Sequence, residues 1–246
     1  MASWVEGKVA ALKHWTGGLY SLQAGADIEP FRAGQFTKIG LKLDGEIVAR
    51  PYSLVNAPDE RPLEFYFNVV PNGPLSPRLA ALAPGDTIFV APRASGFMVM
   101  EEIPQADHLW LVATGTGIGP FLSILKTEEP WQRFRRIVLV HAVRLARELS
   151  YADLIAGFGQ RHPEQFVFVP FVSREATDFA LAGRIPAAIA DGRLEARAGV
   201  AIGTDSHLML CGNPEMVRDT TEALVARGLK KHRRREPGQI TVETYW

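Results

Sequence analysis

Apolar and polar positions alternate in short segments along the first hundred residues. Residues 36–43 form one such segment, and turn-forming sequences such as Asp44-Gly45 and Pro71-Asn72-Gly73 separate neighbouring segments. A period of two predicts antiparallel strands that bury one face. Several short strands in so few residues leave exposed edges unless the sheet closes on itself. We therefore expect a small antiparallel barrel, with residues 76–82 as its helix.

The pattern changes after Glu101, where the apolar runs become nearly continuous, as in strands that are buried on both faces. The predicted strands are residues 109–114, 137–143, 166–172 and 207–211, with a last alternating strand at 240–246. The predicted helices are residues 120–126, 151–160, 185–190 and 214–226. Alternation of strand and helix predicts a parallel, doubly wound α/β sheet. We expect two domains, residues 1–101 and 102–246, with a hinge at 101–107.

Composition narrows the class of protein. The 246 residues include 27 Lys and Arg and 27 Asp and Glu, so the formal net charge is zero. We therefore do not expect an overall electrostatic field that attracts nucleic acid or anionic lipid. The single cysteine, Cys211, excludes an internal disulfide and a multi-cysteine metal site. No apolar run approaches the length of a membrane span. We expect a cytoplasmic protein with neither a membrane anchor nor a metal.

A glycine-rich turn offers the first candidate site. Thr114-Gly115-Thr116-Gly117-Ile118-Gly119-Pro120 follows a buried strand and opens a helix, where glycines allow close backbone approach and unpaired amides favour a pyrophosphate. The spacing departs from the standard G-x-G-x-x-G fingerprint. A tight turn without a ligand is the alternative, but open parallel sheets bind ligands at the carboxyl ends of their strands. The pattern therefore favours a nucleotide site.

Two further motifs lie in the barrel half. Arg50-Pro51-Tyr52-Ser53 combines a phosphate-binding cation, a stacking ring and a hydroxyl, although a solvated arginine and a core tyrosine explain it equally well. In Asn72-Gly73-Pro74-Leu75-Ser76-Pro77-Arg78-Leu79, the serine resembles a helix N-cap with proline at the first helical position. The alternative is that this turn receives a phosphate.

These motifs, taken in order with Cys211-Gly212-Asn213-Pro214 and the terminal Tyr245-Trp246, resemble the signatures of the ferredoxin/flavodoxin–NADP⁺ reductase family, bacterial branch. The resemblance covers the whole chain. It implies an N-terminal antiparallel six-stranded-type barrel that binds FAD, followed by a C-terminal Rossmann-like parallel α/β domain that binds NADP(H).

The resemblance also implies roles for single residues in the barrel half. Arg50 would meet the FAD pyrophosphate, Tyr52 would pack on the isoalloxazine and Ser53 would lie near flavin N5. The other implied FAD contacts are Pro51, Tyr66, Gly73, Pro74, Leu75, Ser76, Thr116, Tyr245 and Trp246. Relatives often carry a basic residue where this chain has Pro74, and proline cannot donate a backbone hydrogen bond.

In the second half, the resemblance implies a coenzyme site. Ser173, Arg174 and Arg184 would hold the 2′-phosphate, and Arg144 would be a third nucleotide-contacting arginine. Because a 2′-phosphate favours guanidinium groups, three arginines at the carboxyl ends of parallel strands favour NADPH over NADH. Cys211 would shape the slot for the nicotinamide and act with Tyr52 and Ser53 at the catalytic centre. Asp219 would lie near the ribose, with a solvated helix position as the alternative. His141 lies in a buried run and is interpreted as a satisfied core histidine.

A basic run is formed by Lys230-Lys231-His232-Arg233-Arg234-Arg235. The resemblance implies that it steers an acidic ferredoxin or flavodoxin towards the protein. The alternatives are a plain solvated loop and, less favoured by the sequence, a nucleic-acid contact. The implied activity is hydride transfer between NADP(H) and FAD and single-electron transfer between FAD and that carrier, by a monomer. Two alternatives stay open. One is an NAD(P)H-dependent flavin reductase or electron-supply component of an oxygenase, and the other is a non-catalytic nucleotide-binding regulator.

Overall fold

The computed structural model describes residues 4–244, which divide into two compact units. One unit runs to Val99 and includes Gly119–Thr127, and the other holds Met100–Ile118 and the residues from Glu128 onward. The segment Gly119–Thr127 belongs with the first unit because the Ser123 hydroxyl donates to Asn56 O at 2.8 Å and accepts from Gly34 N at 3.3 Å. The division into domains at residues 1–101 and 102–246 stays a prediction.

The first unit is a six-stranded antiparallel barrel, as the alternating pattern predicts. Its elements are β1 (Val5–Thr16), β2 (Leu19–Gly25), β3 (Phe36–Leu43), β4 (Glu46–Ser53), β5 (Leu63–Asn68), α1 (Ser76–Leu79), β6 (Thr87–Val90) and α2 (Gly119–Leu125). The strands pair in the order β4-β3-β6-β1-β2-β5. A bridge between Leu54 and Phe65 joins the two ends of this order and closes the barrel. Helix α1 ends three residues earlier than the sequence indicates.

The barrel core is made by the inward positions of these strands together with α1. Leu22, Phe65 and Phe67 are almost fully buried, and Leu75 and Leu79 of the α1 segment are buried in the same cluster. Burial at alternate positions is what a sheet with one face on the core produces. The short helix therefore closes the barrel core instead of lying on its surface.

The second unit is a parallel sheet with helices, which confirms the predicted α/β class. Its elements are β7 (His108–Thr114), α3 (Glu129–Arg133), β8 (Arg136–Val143), α4 (Ala152–Arg161), β9 (Phe166–Val172), β10 (Leu181–Ala182), α5 (Ile185–Ala190), α6 (Arg193–Ala198), β11 (Ser206–Gly212), α7 (Pro214–Ala226) and β12 (Ile240–Thr244). Sequence patterning did not indicate α3, β10 or α6. Every residue of β11 is buried, as expected for a central parallel strand.

The order of this sheet, β10-β9-β8-β7-β11-β12, reverses at β7. From β7 the chain adds β8, β9 and β10 on one side and then returns to place β11 on the other. Ligands of open parallel sheets bind at such a switch point, outside the carboxyl ends of the strands. Thr114 ends β7 and Gly212 ends β11, so the glycine-rich turn and the Cys211 motif both begin there. Within residues 4–244, no helix has the length and apolar character that crossing a membrane requires.

Arg133 anchors the segment that the sequence analysis interprets as a hinge. A short 3₁₀ helix, Met100–Glu102, begins this segment. The Arg133 guanidinium donates from Nη1 to Met100 O at 2.6 Å and from Nη2 to the carbonyl of Ile103. The same side chain forms an ion pair with Glu129 at 3.3 Å. The segment is therefore tied to α3 of its own unit.

We expect Arg133→Lys to loosen this segment, because the compact ammonium lacks the two separate nitrogens with which the guanidinium reaches both carbonyls. The free energy of unfolding should fall by about 1–3 kcal/mol. Amide hydrogen exchange at residues 100–104 should accelerate. Arg135→Lys, at an exposed position two residues away, is the control and should change neither quantity. Unchanged exchange at 100–104 in the Arg133 variant would contradict the anchoring role.

Candidate functional site

The glycine-rich turn lies at the switch point of the parallel sheet. After Thr114 the chain forms a 3₁₀ helix, Gly115–Ile118, and continues directly into α2. A Cβ added at Gly117 would lie 2.6 Å from Cys211 O and 2.8 Å from Gly212 Cα. Gly117 therefore allows the turn to pack closely against the backbone of β11. The sequence had indicated instead that the glycines of this turn make room for a ligand. Around an added Cβ of Gly115, in contrast, no heavy atom of the described residues lies within 4 Å, its two chain neighbours apart.

The Cys211-Gly212-Asn213-Pro214 motif is locked onto the end of β7. The Asn213 N–H donates to Thr114 Oγ1 at 2.9 Å. The Asn213 side chain accepts from Glu215 N at 2.8 Å and from Met216 N at 3.3 Å, and so caps α7. Helix α7 begins at Pro214 and ends at Ala226, as the sequence predicts. Cys211 itself is fully buried on β11.

The arginine candidates lie at the same carboxyl edge, on the other side of β7. Arg174 N donates to Arg144 O at 2.9 Å, which joins the loops that follow β9 and β8. Ser173 Oγ donates to Val143 O at 3.2 Å. Both arginine side chains are exposed. Arg184 is also exposed, at the residue that precedes α5 and follows the parallel strand β10.

Two carboxylates fix the conformation of the loop that follows β8 and carries Arg144. Glu148 Oε2 accepts from Arg144 N at 2.9 Å and from Leu145 N at 3.1 Å, and the Glu175 carboxylate accepts from Ala146 N. These acidic residues therefore bind the backbone of the loop. Asp219 is bonded to its neighbour, since its carboxylate pairs with Arg218 Nη2 at 2.8 Å on the surface of α7. This ion pair agrees with the alternative that Asp219 occupies a solvated position on the helix.

In the barrel unit, the Arg50-Pro51-Tyr52-Ser53 motif forms the last four residues of β4. Arg50 is exposed and its Nη1 donates to Ala49 O at 2.8 Å. The Tyr52 ring packs edge-on against Phe67 at 5.9 Å, and burial raises the pKa of Tyr52 to about 12. Ser53 is buried, and a Cβ added at Gly119 would lie 3.8 Å from Ser53 Cβ. Helix α2 therefore starts against the end of this motif.

The second barrel motif differs from its prediction in one respect. Ser76 is the first residue of α1 and does not cap it; Leu75 occupies the N-cap position, where its side chain makes no capping bond. The Ser76 hydroxyl accepts from Val70 N at 2.9 Å, while Gly73 N donates to Val70 O at 2.9 Å, so both bonds close the turn before the helix. Leu75 is buried in the barrel core and can offer a ligand only its backbone. Pro74 O accepts from Arg78 Nη1 at 2.6 Å.

Tyr66 is buried on β5, in register with Ser21 of β2, as a barrel-core aromatic would be. Tyr245 and Trp246 lie outside the described residues.

Comparison with known proteins decides the family. Family models match residues 19–95 as an oxidoreductase FAD-binding domain and residues 111–222 as an oxidoreductase NAD-binding domain. The flavodoxin/ferredoxin–NADP reductase of Escherichia coli (strain K12) is 51% identical over 248 residues, which cover 100% of both chains. The chain belongs to the flavodoxin/ferredoxin–NADP reductase family.

More distant members agree with this assignment. The ferredoxin–NADP reductase of Pseudomonas aeruginosa is 35% identical, over 96% of this chain and 95% of that one. A crystal structure of a ferredoxin NADP⁺ reductase from Neisseria gonorrhoeae, with bound FAD and NADP, matches this chain with a TM-score of 0.94. It is 35% identical and the match covers 100% of both chains. The two-part fold, barrel followed by parallel α/β sheet, is therefore that of the family.

The donor set of this chain fits the cofactors of such a reductase. In the barrel unit, the exposed Arg50 guanidinium and the half-buried Tyr52 ring sit two residues apart at the end of one strand, which suits a diphosphate joined to a flat ring. In the other unit, Arg144 and Arg174 are joined through their backbones and are exposed, which suits a 2′-phosphate. In residues 4–244, no cluster of three or more His, Cys, Asp or Glu side chains is arranged to hold a metal ion.

Glu243 is a titratable residue near the switch point that the sequence analysis did not single out. It lies on β12 in register with Cys211 of β11, one strand from the switch point. Burial raises the pKa of Glu243 to about 7, so its carboxyl keeps a proton through part of the neutral range. Alternation along residues 240–246 indicated a strand, but only the parallel pairing with β11 places this carboxyl beside the cysteine.

We expect Glu243→Gln to change how stability depends on pH. Because the folded-state pKa is raised from 4.5 to about 7, the wild-type protein loses stability as pH rises through this interval, and the glutamine variant does not. The stability of the variant relative to wild type should increase between about pH 5 and pH 8 by up to about 3 kcal/mol. Denaturant titrations at the two pH values measure this difference.

Glu222→Gln, at an exposed position on α7, is the control and should show no such difference. A Glu243→Gln variant whose relative stability is the same at both pH values would show that the carboxyl is not buried in the way described.

Proposed function

We propose that this chain is an FAD-containing reductase. It transfers a hydride between NADP(H) and FAD, and single electrons between FAD and a ferredoxin or flavodoxin. The observation that carries the proposal is the carboxyl edge of the parallel sheet, where the glycine-rich turn, Cys211 and the Arg144–Arg174 pair lie together. Its relatives, a flavodoxin/ferredoxin–NADP reductase and a ferredoxin–NADP reductase, support the proposal. We also propose residues 1–101 and 102–246 as the FAD and NADP(H) domains.

The residues of the barrel unit would bind and orient FAD. Arg50 pairs with the pyrophosphate, Tyr52 packs on the isoalloxazine ring and the buried Ser53 hydroxyl lies near its N5. The remaining proposed contacts are Pro51, Tyr66, Thr116, the turn formed by Gly73, Pro74, Leu75 and Ser76, and the terminal Tyr245 and Trp246. Bound FAD supplies the capacity to accept a hydride and to release electrons singly. Pro74 contributes no backbone donor to this turn.

The residues of the α/β unit would bind and orient the coenzyme. Arg144, Ser173, Arg174 and Arg184 hold the 2′-phosphate, and Asp219 lies near the ribose. Cys211, fully buried at the end of β11, acts sterically by shaping the nicotinamide slot. Glu243 lies beside that slot, and because burial raises its pKa to about 7, its carboxyl is partly protonated at neutral pH.

The partner would be an acidic electron carrier, held by the segment 230–235, which we name the basic segment. Lys231 bridges to Ile240 and Arg233 to Glu236, so this segment is an ordered loop beside β12. Arg234 pairs with Glu102 at 2.9 Å, and the other Lys and Arg side chains of the segment are exposed. Exposed cations attract an acidic protein and raise its rate of association. We propose a cytoplasmic monomer that binds neither membranes nor nucleic acid.

Anaerobic titration with NADPH, followed by visible absorption, tests the reductase function. We expect a yellow protein whose flavin absorption bleaches with one equivalent of NADPH and returns when an oxidised flavodoxin or ferredoxin is added. A colourless protein that takes up no FAD would indicate a nucleotide-binding regulator. A protein that bleaches but reduces only free flavins would indicate the flavin-reductase alternative.

Replacement of Arg174 and Arg184 by Ala tests coenzyme choice. Each lost charge-assisted contact should raise KM for NADPH about 10- to 100-fold, because such bonds contribute about 1.5–3 kcal/mol. KM for NADH, which lacks the 2′-phosphate, should change by about twofold or less. Arg161→Ala, an exposed arginine that ends α4 at the opposite edge of the sheet, is the control. Equal effects on the two coenzymes would refute the assignment of these arginines.

A further inference from the structure

A histidine is buried in the parallel sheet beside the glycine-rich turn. His141 lies on β8, in register with Ala113 of β7 and Pro170 of β9, and its side chain has no exposed surface. Its Nε2 lies 2.9 Å from Gly115 O. A carbonyl oxygen only accepts hydrogen bonds, so Nε2 carries the hydrogen and donates it.

The other ring nitrogen shows that this histidine is not explained by packing. Nδ1 is then an acceptor, and it has no hydrogen-bond partner among the described residues. A buried acceptor without a partner lowers stability, and the neighbouring positions Leu139 and Val140 are aliphatic. The interpretation as a satisfied core histidine is therefore only half correct. What His141 adds to this sheet is the bond to Gly115.

Proton transfer is not the role of this bond. Burial lowers the pKa of His141 to about 4, so the ring is neutral at physiological pH. A neutral, fixed donor orients the group to which it binds. That group is the peptide between Gly115 and Thr116.

The bond selects one orientation of that peptide. Gly115 has a φ of +51°, in the left-handed region, and within residues 4–244 no atom beyond its chain neighbours crowds the position of its missing side chain. Glycine enters several backbone conformations at similar cost, so sterics alone leave this peptide free to turn over. In a planar trans peptide the carbonyl and the N–H point in opposite directions. Fixing Gly115 O towards His141 therefore directs the Thr116 N–H away from β8.

The opposite end of the turn is fixed by a different interaction. Gly117 packs against the backbone of Cys211 and Gly212, where a Cβ would approach to 2.6 Å. The turn is thus held by backbone packing on its β11 side and by His141 on its β8 side. Thr116, which is buried, lies between the two supports.

We propose that His141 is a positioning residue for hydride transfer. By fixing the Gly115–Thr116 peptide, it holds Thr116 in place for its proposed contact with the flavin, to which the bound coenzyme delivers the hydride. This inference rests on the proposed function, because it requires NADP(H) at this edge of the sheet. His141 neither touches the coenzyme nor exchanges a proton with it. Its loss should therefore reduce the rate of hydride transfer and leave the binding of the 2′-phosphate end unchanged.

The test compares two substitutions in the FAD-loaded protein. His141→Leu removes the donor at similar volume, and His141→Gln keeps an N–H near the position of Nε2. We expect His141→Leu to lower kcat with NADPH about tenfold. Its dissociation constant for 2′,5′-ADP, which carries the 2′-phosphate but no nicotinamide, should stay within about twofold of wild type. His141→Gln should recover most of the lost rate.

His207→Leu is the matched control. His207 is also buried, on β11, its Nε2 lies 2.9 Å from Thr241 Oγ1, and burial lowers its pKa to about 3. It forms its bond near the amino end of the same sheet. Its replacement should lower the melting temperature and leave kcat unchanged, which separates a general loss of stability from a loss of positioning.

A second readout does not depend on turnover. The ¹⁵N shifts of His141 in the holoprotein should show the neutral Nε2–H tautomer throughout the range from about pH 6 to pH 9. A titrating ring or an Nδ1–H tautomer would overturn the proposal. So would a His141→Leu variant with the wild-type kcat, one whose affinity for 2′,5′-ADP falls in parallel with kcat, or a His141→Gln variant no faster than His141→Leu. A wild-type protein that holds FAD but is not bleached by NADPH would instead overturn the proposed function.

Discussion

The backbone contact between β7 and β11 is the constraint on which the candidate site depends. Gly117 meets the carbonyl of Cys211, and a Cβ at Gly212 would lie 2.3 Å from Thr114 Oγ1. Two strand-to-helix turns can approach this closely only where side chains are absent. The contact exists because the order of the parallel sheet reverses at β7, which makes β11 its neighbour. The positions of Thr116, Cys211 and the start of α7 follow from it.

Burial acts in the same direction on the titratable groups near the proposed cofactor positions. It lowers the pKa of His141, raises that of Glu243 and raises that of Tyr52, and in each case it favours the neutral form. The exposed groups nearby, Arg144 and Arg174, are cations. The buried groups of each unit are thus neutral and compatible with uncharged rings, whereas the exposed arginines would bind phosphates. A chain with zero formal net charge achieves this by local placement.

Acidic residues support this arrangement through the backbone. Glu148 and Glu175 accept from amides of the loop that carries Arg144, so their charge is used to shape the loop. A carboxylate that accepts backbone N–H bonds is fixed in direction and less available to compete for a guanidinium. The two loops that follow β8 and β9 can therefore combine two carboxylates with two exposed arginines.

The sequence alone determined both sheets, most of the longer elements and the order of the motifs, because periods of two and 3.6 residues and turn-forming residues are local properties. Helix α7 shows this, since Asn213 and Pro214 mark its start in the chain itself. Tertiary structure alone decided the bond of Ser76 to Val70 N, the pairing of Glu243 with Cys211 and the contact of His141 with Gly115. These three contacts depend on the strand order and on how the fold brings together residues that are separated along the chain, in two cases by tens of positions. Short elements such as β10 and α3 could not be predicted from the sequence either, because a few residues carry too little periodicity to be recognised.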